Sequence, residues 1–152
     1  MTRLILAVYL LSLSAIVAAA SDNPWVGTWI LREPEPGGQL TLNIEEVSEG
    51  WKLMYTVIGP GAPGASYTTV VTPLNGKDAP VMIDGKTSGQ TMGITKIDDL
   101  HTVNVIKYEG KEIGTSKTEL SSDGKIIKVE TDYPDSNLGA PASKQIQFWD
   151  KK

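Results

Sequence analysis

A single histidine, His101, and the absence of cysteine limit the chemistry open to the 152 residues of this chain. One imidazole cannot build a metal site alone. A Ser-His-Asp triad would need a nucleophile elbow of the G-x-S-x-G kind, and none is present. Without cysteine there is no zinc-thiolate site, iron-sulfur cluster, thiol nucleophile or lipid-modified cysteine. The acid pairs Glu33 and Glu35, Glu45 and Glu46, Asp98 and Asp99, and Asp132 and Asp135 have the residue types of a glycosidase acid and base. They fall at strand ends, turns or outward positions, where solvated charge is the common reason for acids. The oxygen-rich stretch 132–137 offers calcium ligands but lacks the complete EF-hand loop pattern. The reading is therefore non-enzymatic, with no catalytic residue, no metal ligand and no cofactor.

Binding chemistry is better represented. Trp51, Leu53, Tyr55 and Val57 share one face of a period-two run that leads into Gly59-Pro60-Gly61-Ala62-Pro63-Gly64, a loop suited to the mouth of a barrel. Trp51, Tyr55, Tyr108, Tyr133 and Phe148 are either ligand-stacking rings or plain core. Thr69, Thr102, Asn104 and Thr115 are compatible with inward positions, and a packed core has little reason to bury hydroxyls and an amide. The candidate ligand contacts are Trp51, Leu53, Tyr55 and Val57 for the apolar body, with Thr102 and Asn104 from another strand for a polar end. His101 lies on the face of Val103 and Val105 and reads as a surface or rim residue.

The elements that would position these residues are short strands. Residues 1–20 combine Arg3, an apolar run and Ala18-Ala19-Ala20, the order of a cleaved export signal, which leaves one domain over 21–152. Exported chains of this kind are periplasmic or extracellular. The 18 acidic against 14 basic residues argue against a nucleic-acid binder, and no later segment is apolar enough for an integral membrane span. Within 21–152, period-two runs alternate with turn signals. The runs cover 25–31, 39–47, 51–58, 67–74, 79–83, 91–97, 100–108, 111–120, 125–132 and 143–150. Runs 39–47 and 51–58 read as a hairpin, as do the runs flanking Asn75-Gly76, Asp84-Gly85 and Glu109-Gly110. No amphipathic helix is available for parallel crossovers. The fold class is all-β: an antiparallel up-and-down barrel of about eight to ten strands, favoured over a two-sheet sandwich because closure removes exposed edges.

Pro24-Trp25-Val26-Gly27-Thr28-Trp29 resembles the G-x-W signature of lipocalins and their calycin relatives. The stretches 74–81, 95–99 and 120–125 are similar to small secreted bacterial lipocalin-like proteins. The resemblance implies a barrel in which Gly27 and Trp29 are structural and Trp29 closes one end. It also implies an internal site for a small, lipophilic ligand. Lipocalins pack a late Arg against that Trp; here the only Arg after the leader is Arg32, so Lys144 or Lys151 would have to substitute. The functional expectation is an exported binding protein, with a non-catalytic envelope interaction protein, its barrel filled, as the alternative.

Overall fold

The computed structural model describes residues 22–134 and 141–152, so the expected leader over 1–20 and residues 135–137 of the 132–137 stretch lie outside the described residues. Ten strands run in chain order: β1 (Gly27–Leu31), β2 (Gln39–Val47), β3 (Gly50–Ile58), β4 (Ser66–Thr72), β5 (Ala79–Ile83), β6 (Lys86–Lys96), β7 (His101–Tyr108), β8 (Lys111–Leu120), β9 (Ile126–Tyr133) and β10 (Ser143–Lys151). Every strand pairs antiparallel with its sequence neighbour, and β1 pairs with β10, which closes the barrel. Among the described residues there is no helix, hence none long and apolar enough to cross a membrane.

Turn chemistry explains most of the meander. Asp84 and Gly85 take φ of 47° and 78°, and Glu109 and Gly110 take 48° and 79°, the paired positive φ values of two-residue hairpin turns that follow the strand twist. Asn75-Gly76 behaves differently from the expected hairpin. Gly76 N–H donates to the Ile94 carbonyl (2.9 Å) and Asn75 bridges Thr95, so this segment lies against β6 instead of turning tightly between β4 and β5. Only Thr68↔Ile83 and Thr69↔Met82 then pair β4 with β5. Gly50, at φ +123°, turns where a Cβ would run into the Thr72 carbonyl. Only glycine fits there.

One end of the barrel is closed by tryptophan. Trp29 is 0% exposed, and its indole N–H donates to the Trp25 carbonyl (3.0 Å). Trp25 in turn donates to the Asp99 carbonyl (2.7 Å) and packs on Trp51 with centroids 5.4 Å apart. Lys151 lies across this plug, its Nζ 5.0 Å from the centre of the Trp29 ring and 2.8 Å from the Pro24 carbonyl. Gly27, at φ +137°, leaves room for that stem, since a Cβ there would sit 3.0 Å from Lys151 Cε. Lys151, not Lys144, therefore occupies the place expected of a cation on Trp29; Lys144 pairs with Asp132 on the exterior.

At the other end the wall is incomplete. β1 pairs β2 as far as Ile30↔Thr41 and β10 as far as Leu31↔Trp149, then stops. Beyond it, residues 143–147 of β10 have β9 as their only strand partner among the described residues. The chain turns away there through Arg32, whose guanidinium forms two hydrogen bonds with the Asp150 carboxylate (3.0 and 2.6 Å) and lies 5.5 Å from the Phe148 ring centre. That pairing holds the Asp150 carboxyl below its ordinary pKa and raises the guanidinium.

Candidate functional site

The barrel interior holds a cavity of about 210 Å³. Its walls differ in character. On the β2–β3 side, Leu42, Ile44, Leu53 and Tyr55 point inward, with Trp51 below them toward the tryptophan plug. On the β7–β10 side the register sets Asn104 opposite Ser116, Ser116 opposite Thr131 and Thr131 opposite Gln145. These four residues form a polar row across four strands, and all four line the cavity. Thr102 and Thr118 form the next cross-strand pair. Ile106, Ile127, Val129 and Trp149 lie on the same side, so the cavity is mainly apolar with its polar groups gathered on one side.

Trp51, Leu53, Tyr55, Thr102 and Asn104 all line this cavity, whereas Val57 does not. Val57 lies where β3 leaves the barrel, 39% exposed, and belongs to an outer depression of about 470 Å³ bounded by Leu31, Pro34, Ile58 and Phe148. Leu40, Gln145 and Gln147 line both spaces and so form the partition between them, at the gap left by the short β1. The Gly/Pro loop contributes Gly59 and Pro60 to the outer depression.

Several inward assignments change. Thr69 pairs with Met54 on the outer face, while its neighbours Thr68 and Val70 share the face of Tyr55 and Leu53. Thr115 also faces out and Ser116 faces in. A two-residue turn at Glu109-Gly110 would set Thr115 opposite Asn104 if the ladder were regular. The register instead shifts between Ile106 and Lys107, leaving Ile113 unpaired and bringing Ser116 to Asn104. Phe148 faces the exterior under Arg32. The inward residues of β10 are Gln145, Gln147 and Trp149. Tyr133 lines the cavity and Tyr108 does not; Tyr108 packs over Gly89, where a Cβ would lie 3.2 Å from its ring. Trp25, Trp149, Ser116, Thr118, Thr131 and the two glutamines are among the lining residues that strand periodicity alone missed. The Asn104 register, once corrected for the bulge, finds Ser116 and Thr131.

The site's electrostatics are neutral. Among the described residues, no Lys, Arg, His, Asp or Glu side chain lines the cavity. Its ionisable groups are two phenols, and burial pushes that of Tyr55 up to about 12, so it stays protonated at neutral pH. The Tyr55 ring meets Trp149 edge-on at 6.1 Å. Ser116 and Thr131 share a buried hydroxyl–hydroxyl hydrogen bond of 2.9 Å. His101 is outside, its Nδ1 2.8 Å from Asp98 Oδ1. The Leu100 N–H and His101 together hold the Asp98 carboxyl below its ordinary pKa. No group of three or more His, Asp or Glu converges to hold a metal among the described residues.

Comparisons with protein-family models, with curated proteins and with solved structures found no match to this chain. The ten-stranded closed antiparallel barrel is compatible with a calycin-like fold.

Proposed function

We propose that this protein is an exported, non-catalytic, lipocalin-like binding protein that carries a small lipophilic molecule inside its barrel. The observation that carries the reading is the 210 Å³ cavity with an apolar β2–β3 wall and, on the β7–β10 side, a row of polar residues set among Ile106, Ile127, Val129 and Trp149. A barrel that served only as a scaffold would fill that space with its own side chains. The Lys151–Trp29 contact beside Gly27 supports the lipocalin-like assignment, and the order of residues 1–20 supports export. The lining hydroxyl of Ser116 bonds to Thr131 and has no carboxylate or imidazole beside it in the described lining, which supports a binding role over a catalytic one.

The test is a native mass spectrum of gently purified protein followed by titration with an apolar fluorescent probe. Bound mass, or probe binding that alters tryptophan emission, is expected. Tyr55→Ala should weaken probe binding about tenfold, whereas Lys52→Ala, on the opposite face of β3, should leave it within about twofold. Equal effects would reject the interior site. Secreted by a bacterial host, the protein should begin at Ser21, and an intact Met1 on the exported product would reject the leader. A second reading, an envelope interaction protein, draws on the outer surface, where Ile146 is 58% and Phe148 38% exposed beside the depression. It takes over if the interior stays empty with every probe.

A further inference from the structure

We infer that the interior is entered from the side, through the gap where β1 ends between β2 and β10, with the outer depression as its vestibule. This rests on the binding reading above and adds the route by which a molecule reaches the same site.

The gap has a cause in the sequence. Arg32 N–H donates to the Phe148 carbonyl (2.8 Å), the last rung of the β1–β10 seam. Continued at the register of Leu31↔Trp149, the seam would set Pro34 opposite Ile146. Alternate residues of an antiparallel strand bond to the same neighbour, so position 34 would have to supply an N–H that proline lacks. The chain folds back instead, with Gly38 N–H on the Glu35 carbonyl (2.8 Å). Beyond that point side chains, not a hydrogen-bonded strand, complete the wall. They are Leu40, Gln145 and Gln147, which line both the cavity and the outer depression. Gln145 faces inward and is still exposed, so solvent reaches the interior beside it.

Other routes are filled. The tryptophan plug closes one end. At the other, no residue of β4 or β5 lines the cavity; Val70, Ala79 and Val81 are buried there with Met92 packed against them. Parting paired strands would break ladder bonds, whereas turning a leucine or glutamine side chain breaks none. The vestibule also offers an apolar surface, with Val57, Ile58 and Phe148 exposed around it.

The chain has no cysteine, so a single introduced thiol is modified at one place. Ile146→Cys puts it on the exposed wall of the depression. Lys86→Cys is the control: alternate connections of an up-and-down barrel share an end, so the β5–β6 turn is at the same end as the 32–38 connection but across the mouth. Each thiol is capped with a bulky aromatic thiosulfonate that dithiothreitol removes, and binding of 1-naphthylamine, fluorescent and uncharged at pH 7, is followed by stopped flow. A barrier on the path changes both rates together, whereas a lost contact in the site raises dissociation alone. Capping the Ile146→Cys protein should slow association and dissociation alike by about tenfold, leave Kd within about threefold, and be reversed by dithiothreitol. Capping the Lys86→Cys protein should leave both rates within about twofold. Unchanged association in the capped Ile146→Cys protein, or equal or greater slowing in the capped Lys86→Cys protein, overturns the lateral route while interior binding stands. No binding to either uncapped protein or to the unsubstituted chain rejects the binding reading and the route with it.

Discussion

The two halves of the barrel treat their tryptophans in opposite ways. In the closed end, the N–H groups of Trp25 and Trp29 both reach backbone carbonyls, and Lys151 covers Trp29 from outside. A few residues along the axis, Trp149 is as well buried and is a lining residue of the cavity, yet its N–H, like Asn104 Oδ1, is enclosed without a hydrogen-bond partner. The closed end satisfies its own polar atoms and behaves as structure. The lining residues of the cavity include an enclosed donor and an enclosed acceptor without partners, at a cost of about 1 to 3 kcal/mol each. Unequal satisfaction of equally buried groups therefore separates the closed end from the cavity lining.

The largest expected effect tests the structural half. Trp29→Ala should lower unfolding stability by about 3 to 5 kcal/mol in urea denaturation, as truncation of a fully buried aromatic does. A loss below about 1 kcal/mol would mean that the closed end is not where stability resides.

A smaller effect tests the cavity half through pH. The Tyr55 phenol is raised from 10.0 to about 12 by burial, so the folded state holds its proton more tightly than the unfolded state. The stability contribution is fully present below pH 10 and is lost as pH rises toward about 12, roughly 2 to 3 kcal/mol in all. Tyr55→Phe should flatten the decline of the urea midpoint over that window. An identical decline in both proteins would show that Tyr55 ionises as it does in water.

The smallest effect sharpens the comparison directly by making the same substitution in both halves. Trp29→Phe strips the Trp25 carbonyl of its donor, whereas Trp149→Phe removes an N–H that has no acceptor. Trp29→Phe should cost roughly 1 to 2 kcal/mol more in denaturant titrations. Equal costs would erase the distinction between the halves.

Part of the cavity lining is legible in the sequence. The alternation of Trp51, Leu53 and Tyr55, broken by Lys52 and Met54, marks an inward face, and all three line the cavity. β10 misleads for an identifiable reason: its apolar alternation, Ile146 and Phe148, is on the outer face, and the inward side carries Gln145 and Gln147. Pairing of Leu31 with Trp149 sets that orientation, and in a strand a shift of one residue exchanges the two faces. Val57 has the right parity but lies too near the end of β3, a question of strand length and barrel height that periodicity does not address.

By itself the sequence determined an all-β meander. Period-two runs and the Asp84-Gly85 and Glu109-Gly110 turns are local, set by side-chain volume and backbone sterics over a few residues. Only the tertiary structure decided how the ends meet and which atoms remain unpaired. The β1–β10 seam and the Lys151–Trp29 contact join residues at opposite ends of the chain. The shift at Ile106 and Lys107 changes which hydroxyl faces Asn104. Hydrogen-bond satisfaction depends on every neighbour in space, so the unpaired Asn104 and Trp149 atoms emerge only once the barrel has closed around them.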